Sequence, residues 1–166
     1  MKRVSAVAVI GLLVGLVAAA AVAALPDGTA SVRFGNSSAG SPFPPPAGHD
    51  ASSNAKDNLI PRTVNIAVGG TVTYTIAGFH QPIVYEAGTE PTDIQAPPFP
   101  PEANIFVTPP AGPLASGQLA RGPLNEPLAT ATWTADVFDA PGRYLVICNI
   151  TPHFSFFKQY GWVNVK

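Results

Sequence analysis

Residues 140 to 158 read APGRYLVICNITPHFSFFK. The Pro-Gly pair at 141 and 142 turns the chain, and Arg143 to Cys148 then run as an apolar stretch of strand length. Period-two geometry places Tyr144, Val146 and Cys148 on one face and Arg143, Leu145 and Ile147 on the other. With Tyr144 and Val146 facing a core, Cys148 sits at the inner lip of a sheet, where strand gives way to loop. Five residues later His153 can fold back over the same end. Pro152 stiffens that return by fixing its own φ and biasing Thr151 toward extended geometry.

The strands around this one follow the same alternation. RTVNIAV (62 to 68) sets Val64, Ile66 and Val68 on one face, Gly69-Gly70 signals a turn, and TVTYTIA (71 to 77) resumes with Val72, Tyr74 and Ile76, so the pair reads as a hairpin. FHQPIVYE (79 to 86) is a further extended run whose Pro82 marks an edge or irregular strand. TATWTADV (130 to 137) and GWVNVK (161 to 166) are also strand-like, and Ala30 to Phe34 reads as a first strand. No sustained helical period appears after residue 25. Roughly seven strands joined by turns predict an all-β, antiparallel sandwich, with Trp133 and Trp162 in its core.

Three stretches lie outside that pattern. Lys2 and Arg3 precede an uncharged run from Val4 to Leu25 that ends in small residues, and Ala21-Val22-Ala23 supplies a cleavage site, so 1–23 reads as a signal peptide or an uncleaved anchor. Residues 24–61 are rich in Gly, Pro and Ser. The domain then occupies 62–166, and its segment 86–127 is a long loop holding ten of the nineteen prolines. Cleavage would remove two of nine basic residues and none of ten acidic ones, leaving a mildly acidic chain without a basic cluster. Nothing in that composition suggests a nucleic-acid surface, and no nucleic-acid partner is expected. No nucleophile elbow, catalytic carboxylate pair, phosphate loop or HExxH is present, so hydrolase chemistry has no support.

Export makes Cys148 conspicuous. It is the only cysteine, and in an oxidising compartment a thiol without an intramolecular partner is dimerised, reactive or bound to a metal. A thiolate beside the imidazole of His153 in an apolar pocket suits a soft, nitrogen-tolerant metal, and a His₂Cys site is the arrangement of electron-transfer copper. His80, just past the strand 71 to 77 and flanked by apolar residues, is the candidate second imidazole. His49 lies in PPAGHDASS and reads as a solvated loop residue, and Glu86, Glu90 and Asp93 as exposed loop charges. Phe154, Phe156 and Phe157 read as core or rim packing that keeps water from the site. Asn149-Ile150-Thr151 matches a glycosylation sequon but falls inside the candidate ligand loop, which argues against its use.

GGTVTYTIAGFHQ (69 to 81) and APGRYLVICNITPHFSFFK together resemble the cupredoxins, the plastocyanin and azurin family of small blue-copper proteins. The resemblance covers about 62 to 85 and 129 to 166, and the proline-rich segment between has no counterpart. It implies a Greek-key β-sandwich with His80, Cys148 and His153 as equatorial ligands of one copper ion, bound through Nδ of each imidazole. It further implies a one-electron carrier rather than an enzyme, exported to the periplasm or another extracytoplasmic space, monomeric, and working with redox partner proteins, with a membrane tether if the leader is retained. A copper carrier or chaperone, a cupredoxin-like enzyme with an open coordination position, and a metal-free interaction module are the other readings.

Two departures from the family pattern stand out. The family usually supplies a weak axial methionine four or five residues after the second histidine, where this chain has Phe157 and Lys158; Met1 is its only methionine. A phenyl ring cannot coordinate, so a type 1 site without a strong axial ligand, and with a raised reduction potential, is expected. Gln159 could serve only if the loop bulges by two residues. The second departure is Gln81, where the family commonly has an asparagine that hydrogen-bonds the cysteine loop.

Overall fold

The computed structural model describes residues 28–35, 59–97, 105–127 and 129–166. The expected leader at 1–23 and His49 lie outside the described residues. Among the described residues nine strands are formed: β1 (Thr29–Phe34), β2 (Leu59–Ile60), β3 (Thr63–Ile66), β4 (Gly70–Ala77), β5 (Pro82–Ala87), β6 (Gln118–Arg121), β7 (Thr130–Phe138), β8 (Gly142–Cys148) and β9 (Tyr160–Val165). One short helix, α1 (Thr151–Ser155), links β8 to β9. The strands make two sheets, ordered β2-β1-β4-β7 and β3-β9-β8-β5-β6. Their inner faces share one core, in which Phe34, Tyr74, Ile76 and Phe138 from the first sheet meet Ile66, Val146, Cys148 and Val163 from the second. Burying a side chain of this size contributes about 1.5–3 kcal/mol, so the alternation of small β-branched and aromatic residues is what selects the sandwich.

The β-sandwich expected from the sequence is therefore present, with mixed sheets. β1 runs parallel to β4, and β3 runs parallel to β9, while the other ladders are antiparallel. The predicted hairpin between 62 and 77 does not form, because β3 and β4 belong to different sheets. Residues 67 to 70 instead carry the chain around a corner, so that Val64 and Ile66 enter the core from one side and Val72, Tyr74 and Ile76 from the other. Gly70 is required at that corner: a Cβ there would meet Gly28 O at 2.6 Å and Ala67 O at 2.8 Å.

Strand β5 is irregular rather than an edge, its register shifting against both β6 and β8. It lies between β8 and β6, and Pro82 is tolerated because it is the first residue of the strand, where a missing N–H costs no ladder bond. Strand β8 is buried on both faces. Leu145 and Ile147, which point away from the main core, join Ile83, Tyr85, Val107 and Phe154 in a second cluster, against which Ile94, Ala96 and Trp162 pack. The long proline-rich segment therefore supplies part of a third layer. Trp133, by contrast, stacks on Tyr74 at the edge of the main core, with ring centroids 5.5 Å apart. No helix among the described residues is long and apolar enough to cross a membrane.

Candidate metal centre

Cys148 closes β8 on the inner face, as its parity requires, and is fully buried. Its N–H donates to Gln159 O at 3.0 Å, and the residue opposite it on β5 is Pro82. His80 stands in the connection from β4 to β5 and is 3 % exposed. Asn125 fastens that connection from across the fold. Its N–H donates to His80 O at 2.9 Å, and its side-chain amide reaches the carbonyls of Gly78 and Ala129 at 3.0 and 2.9 Å. Gly35, at the end of β1 with φ +80°, underlies the imidazole so closely that a Cβ there would stand 2.2 Å from His80 Nε2. Phe34 meets the same ring edge-on at 5.9 Å.

His153 is carried by α1, whose first turn contains Pro152, where the missing N–H would have had no helical partner in any case. Its carbonyl accepts from Gln159 N at 2.9 Å, which draws the helix back onto the start of β9. The ring is half-buried, and that burial pushes its pKa down to about 4, so the imidazole is neutral with a lone pair available at ordinary pH.

These elements bring all three predicted donors together. Cys148 Sγ lies 3.6 Å from His80 Nδ1 and 3.6 Å from His153 Nδ1, and the two Nδ1 atoms are 3.0 Å apart. The centre of such a triangle is about 2 Å from every corner, the length of a first-row metal bond to imidazole nitrogen and slightly under that to thiolate sulfur. The donor set fits one copper ion of type 1: two imidazoles and one thiolate in a dry, apolar setting. Among the described residues no carboxylate belongs to the cluster. Glu90 instead pairs with Arg143 at 2.9 Å, and Asp93 accepts from Glu90 N at 2.9 Å.

Around the donors runs a hydrogen-bond network whose centre, Asn149, was read from sequence only as an unused sequon. It is fully buried. Its Nδ2 donates to Gln81 Oε1 at 2.7 Å and to Thr108 O at 3.0 Å, while its Oδ1 accepts from Thr108 N at 2.9 Å. Gln81 in turn donates to Pro110 O at 2.9 Å and to Gly122 O at 3.2 Å. Gln81 thus ties the histidine segment to the cysteine loop through Asn149, and the proline-rich segment joins in, with Val107 N donating to Asn149 O and Thr151 N to Ile105 O, both at 2.8 Å. Phe154 is buried in the second cluster, whereas Phe156 and Phe157 are 68 % and 36 % exposed and form a rim, Phe157 lying 6.2 Å from the His153 ring.

No family model matches the sequence, and no curated protein is similar enough to match. Solved structures do match. Auracyanin from the photosynthetic bacterium Roseiflexus castenholzii, in its dithionite-reduced form, aligns with TM-score 0.51 at 15% identity over 85% of this chain and 98% of its own. Auracyanin B aligns with TM-score 0.51 at 18% identity over 87% and 93%. The azurin Az-iso2 of Methylomonas sp. strain J aligns with TM-score 0.50 at 12% identity over 83% and 97%. At such identities the likeness is one of fold: the chain shares the β-sandwich fold of these auracyanins and this azurin.

Proposed function

We propose that this chain is an exported one-electron carrier in which His80 Nδ1, Cys148 Sγ and His153 Nδ1 hold a single copper ion. The observation that carries the reading is the convergence of those three atoms within 3.6 Å at one end of the sandwich. When bound, copper supplies a Cu(II)/Cu(I) couple. The protein's part is to keep the donors from moving between the two states, since a site that need not rearrange exchanges electrons with little reorganisation. Asn149, Gln81 and Asn125 perform that task through bonds that do not involve the ion. His153 is the electron exit: it is the most exposed of the three, and the Phe156 and Phe157 rings flank it with an apolar surface. Residues 1–23 act as the export signal in this reading, and redox proteins meet the His153 face.

The test is a visible spectrum of purified protein titrated with Cu(II). An intense band near ~600 nm is expected from thiolate-to-copper charge transfer, and Cys148→Ser should abolish it. A colourless complex, or a spectrum unchanged by the substitution, would overturn the proposal.

A further inference from the structure

We propose that Gln159 is the fourth, axial ligand of the metal, binding through its side-chain amide oxygen. The inference rests on the copper reading above and adds a residue to that site. Gln159 is fully buried, and neither Oε1 nor Nε2 of its amide has a hydrogen-bond partner. An amide buried without partners costs on the order of 2 kcal/mol or more, and native folds rarely leave one so. Its backbone is nonetheless firmly held, by Cys148 N on one side and His153 O on the other, so both neighbours in the hydrogen-bond pattern are candidate copper ligands.

The register aims the side chain. The β8–β9 ladder runs from Gly142 opposite Val165 to Ile147 opposite Tyr160, and the bond from Cys148 N to Gln159 O carries the pairing one residue further. Directly opposed residues of an antiparallel pair share a face, with Cβ atoms about 5 Å apart. Gln159 has the parity of Val163 and Val165, which lie in the main core with Val146 and Cys148. The amide therefore leaves the backbone on the inner face beside the thiolate, in the same dry end of the sandwich.

The backbone turns sharply just before position 159. Lys158 adopts φ +57°, a left-handed conformation costing about 1–2 kcal/mol for a residue with a Cβ. Arg62 holds it there by donating to Lys158 O at 3.0 Å. This pivot leaves Phe156, Phe157 and Lys158 outside and returns Gln159 to the interior. Phe157, at the position expected from spacing, has no donor atom and stays on the rim. Of the two amide atoms the oxygen is the ligand, because the nitrogen lone pair is delocalised into the carbonyl.

An amide oxygen is a harder donor than a thioether and favours Cu(II), which lowers the reduction potential instead of raising it. The experiment compares copper-loaded Gln159→Leu and Gln159→Met with the parent by redox titration and by EPR of the Cu(II) form. The Leu variant should keep the blue band yet shift the Cu(II)/Cu(I) equilibrium toward Cu(I) by tenfold or more, about +59 mV for one electron, with altered EPR symmetry. The Met variant should shift the same way by less, and it decides the matter should Leu fail to fold. Unchanged potential and EPR in a variant that keeps the blue band overturn Gln159 as ligand while leaving the three-donor site standing. Absence of the blue band from the parent overturns the copper reading itself. Thr151→Val is the control, because Thr151 Oγ1 is also buried without a partner in the ligand loop. If it moves the potential and Gln159→Leu does not, the axial assignment belongs to Thr151.

Discussion

Asn149 Nδ2 donates to Gln81 Oε1 over 2.7 Å, joining the residue after the cysteine to the residue after the first histidine. Both side chains are at most 2 % exposed, so neither can exchange this bond for water. Asn149→Ala would strand the Gln81 carbonyl and the Thr108 N–H together. At about 1–3 kcal/mol for each buried group left unpaired, the variant should lose roughly 3 kcal/mol of stability. Denaturant unfolding of Asn149→Ala, Gln81→Ala and the double variant measures it, and the cycle should return a coupling energy of at least ~1 kcal/mol. Additive losses would mean that the two amides do not act as a unit.

Gly35 makes room for the His80 ring by having no Cβ. Gly35→Ala places Cβ within 2.2 Å of His80 Nε2 and 2.8 Å of Ala77 O, so the imidazole must move. Gly88 offers a matched control: its φ is +88° and nothing lies within 4 Å of a Cβ there. Both substitutions incur the left-handed backbone cost of about 1–2 kcal/mol, and only the first disturbs the donors. Competition against a copper chelator should show affinity lowered at least ~10-fold in Gly35→Ala and unchanged in Gly88→Ala. Equal affinities in the two variants would remove the steric role assigned to Gly35.

Much of the site was legible because its residue types are scarce and its strand is regular. A single cysteine at the inner parity of RYLVIC and a histidine five residues later define one end of a sheet from local pattern alone. Pairing between segments distant in sequence was not legible. The parallel ladders of β1 with β4 and β3 with β9 join chains far apart, and alternation within a strand carries no information about its neighbour. The same gap turned the Gly69-Gly70 corner into an expected hairpin and left an edge position open for β5, which is irregular but internal. Leu145 and Ile147 did hint that β8 is covered on both sides, since an apolar residue at every position is what a two-face burial demands. Asn149, Asn125 and Gly35 had no signal in period or spacing, because each acts by a contact made only after folding.

The rim around His153 leads to a kinetic prediction. Phe156 is 68 % exposed and packs edge-on against Phe157 at 5.1 Å, giving an apolar surface beside the proposed electron exit. Two molecules exchanging an electron through His153 would bring these rings together. Phe156→Glu would place like charges across that encounter, which penalises association without touching the donors. Electron self-exchange, followed by NMR line broadening of partly oxidised protein, should slow by about tenfold or more at low salt and partly recover at high salt. The visible spectrum should be unchanged. An unaltered exchange rate would place the exit elsewhere on the surface.

Removal of the metal should weaken the fold without dissolving it. The bonds that position the donors, from Asn149 to Gln81 and Thr108 and from Asn125 to Gly78 and Ala129, are made between protein groups alone. The core beneath them is continuous, and apart from Cys148 the buried residues of that cluster are not metal donors. A ligand present at a thousand times its dissociation constant stabilises the native state by about 4.1 kcal/mol. For a chain of this length each kcal/mol moves the melting temperature by about 2–4 °C, so copper extraction should lower Tm by roughly 10 °C. Calorimetry of the loaded and chelator-treated protein gives the shift, and far-ultraviolet circular dichroism should report the same sheet content in both. Loss of the sheet signal on chelation would show that the ion, and not the amide network, holds the two ligand loops in place.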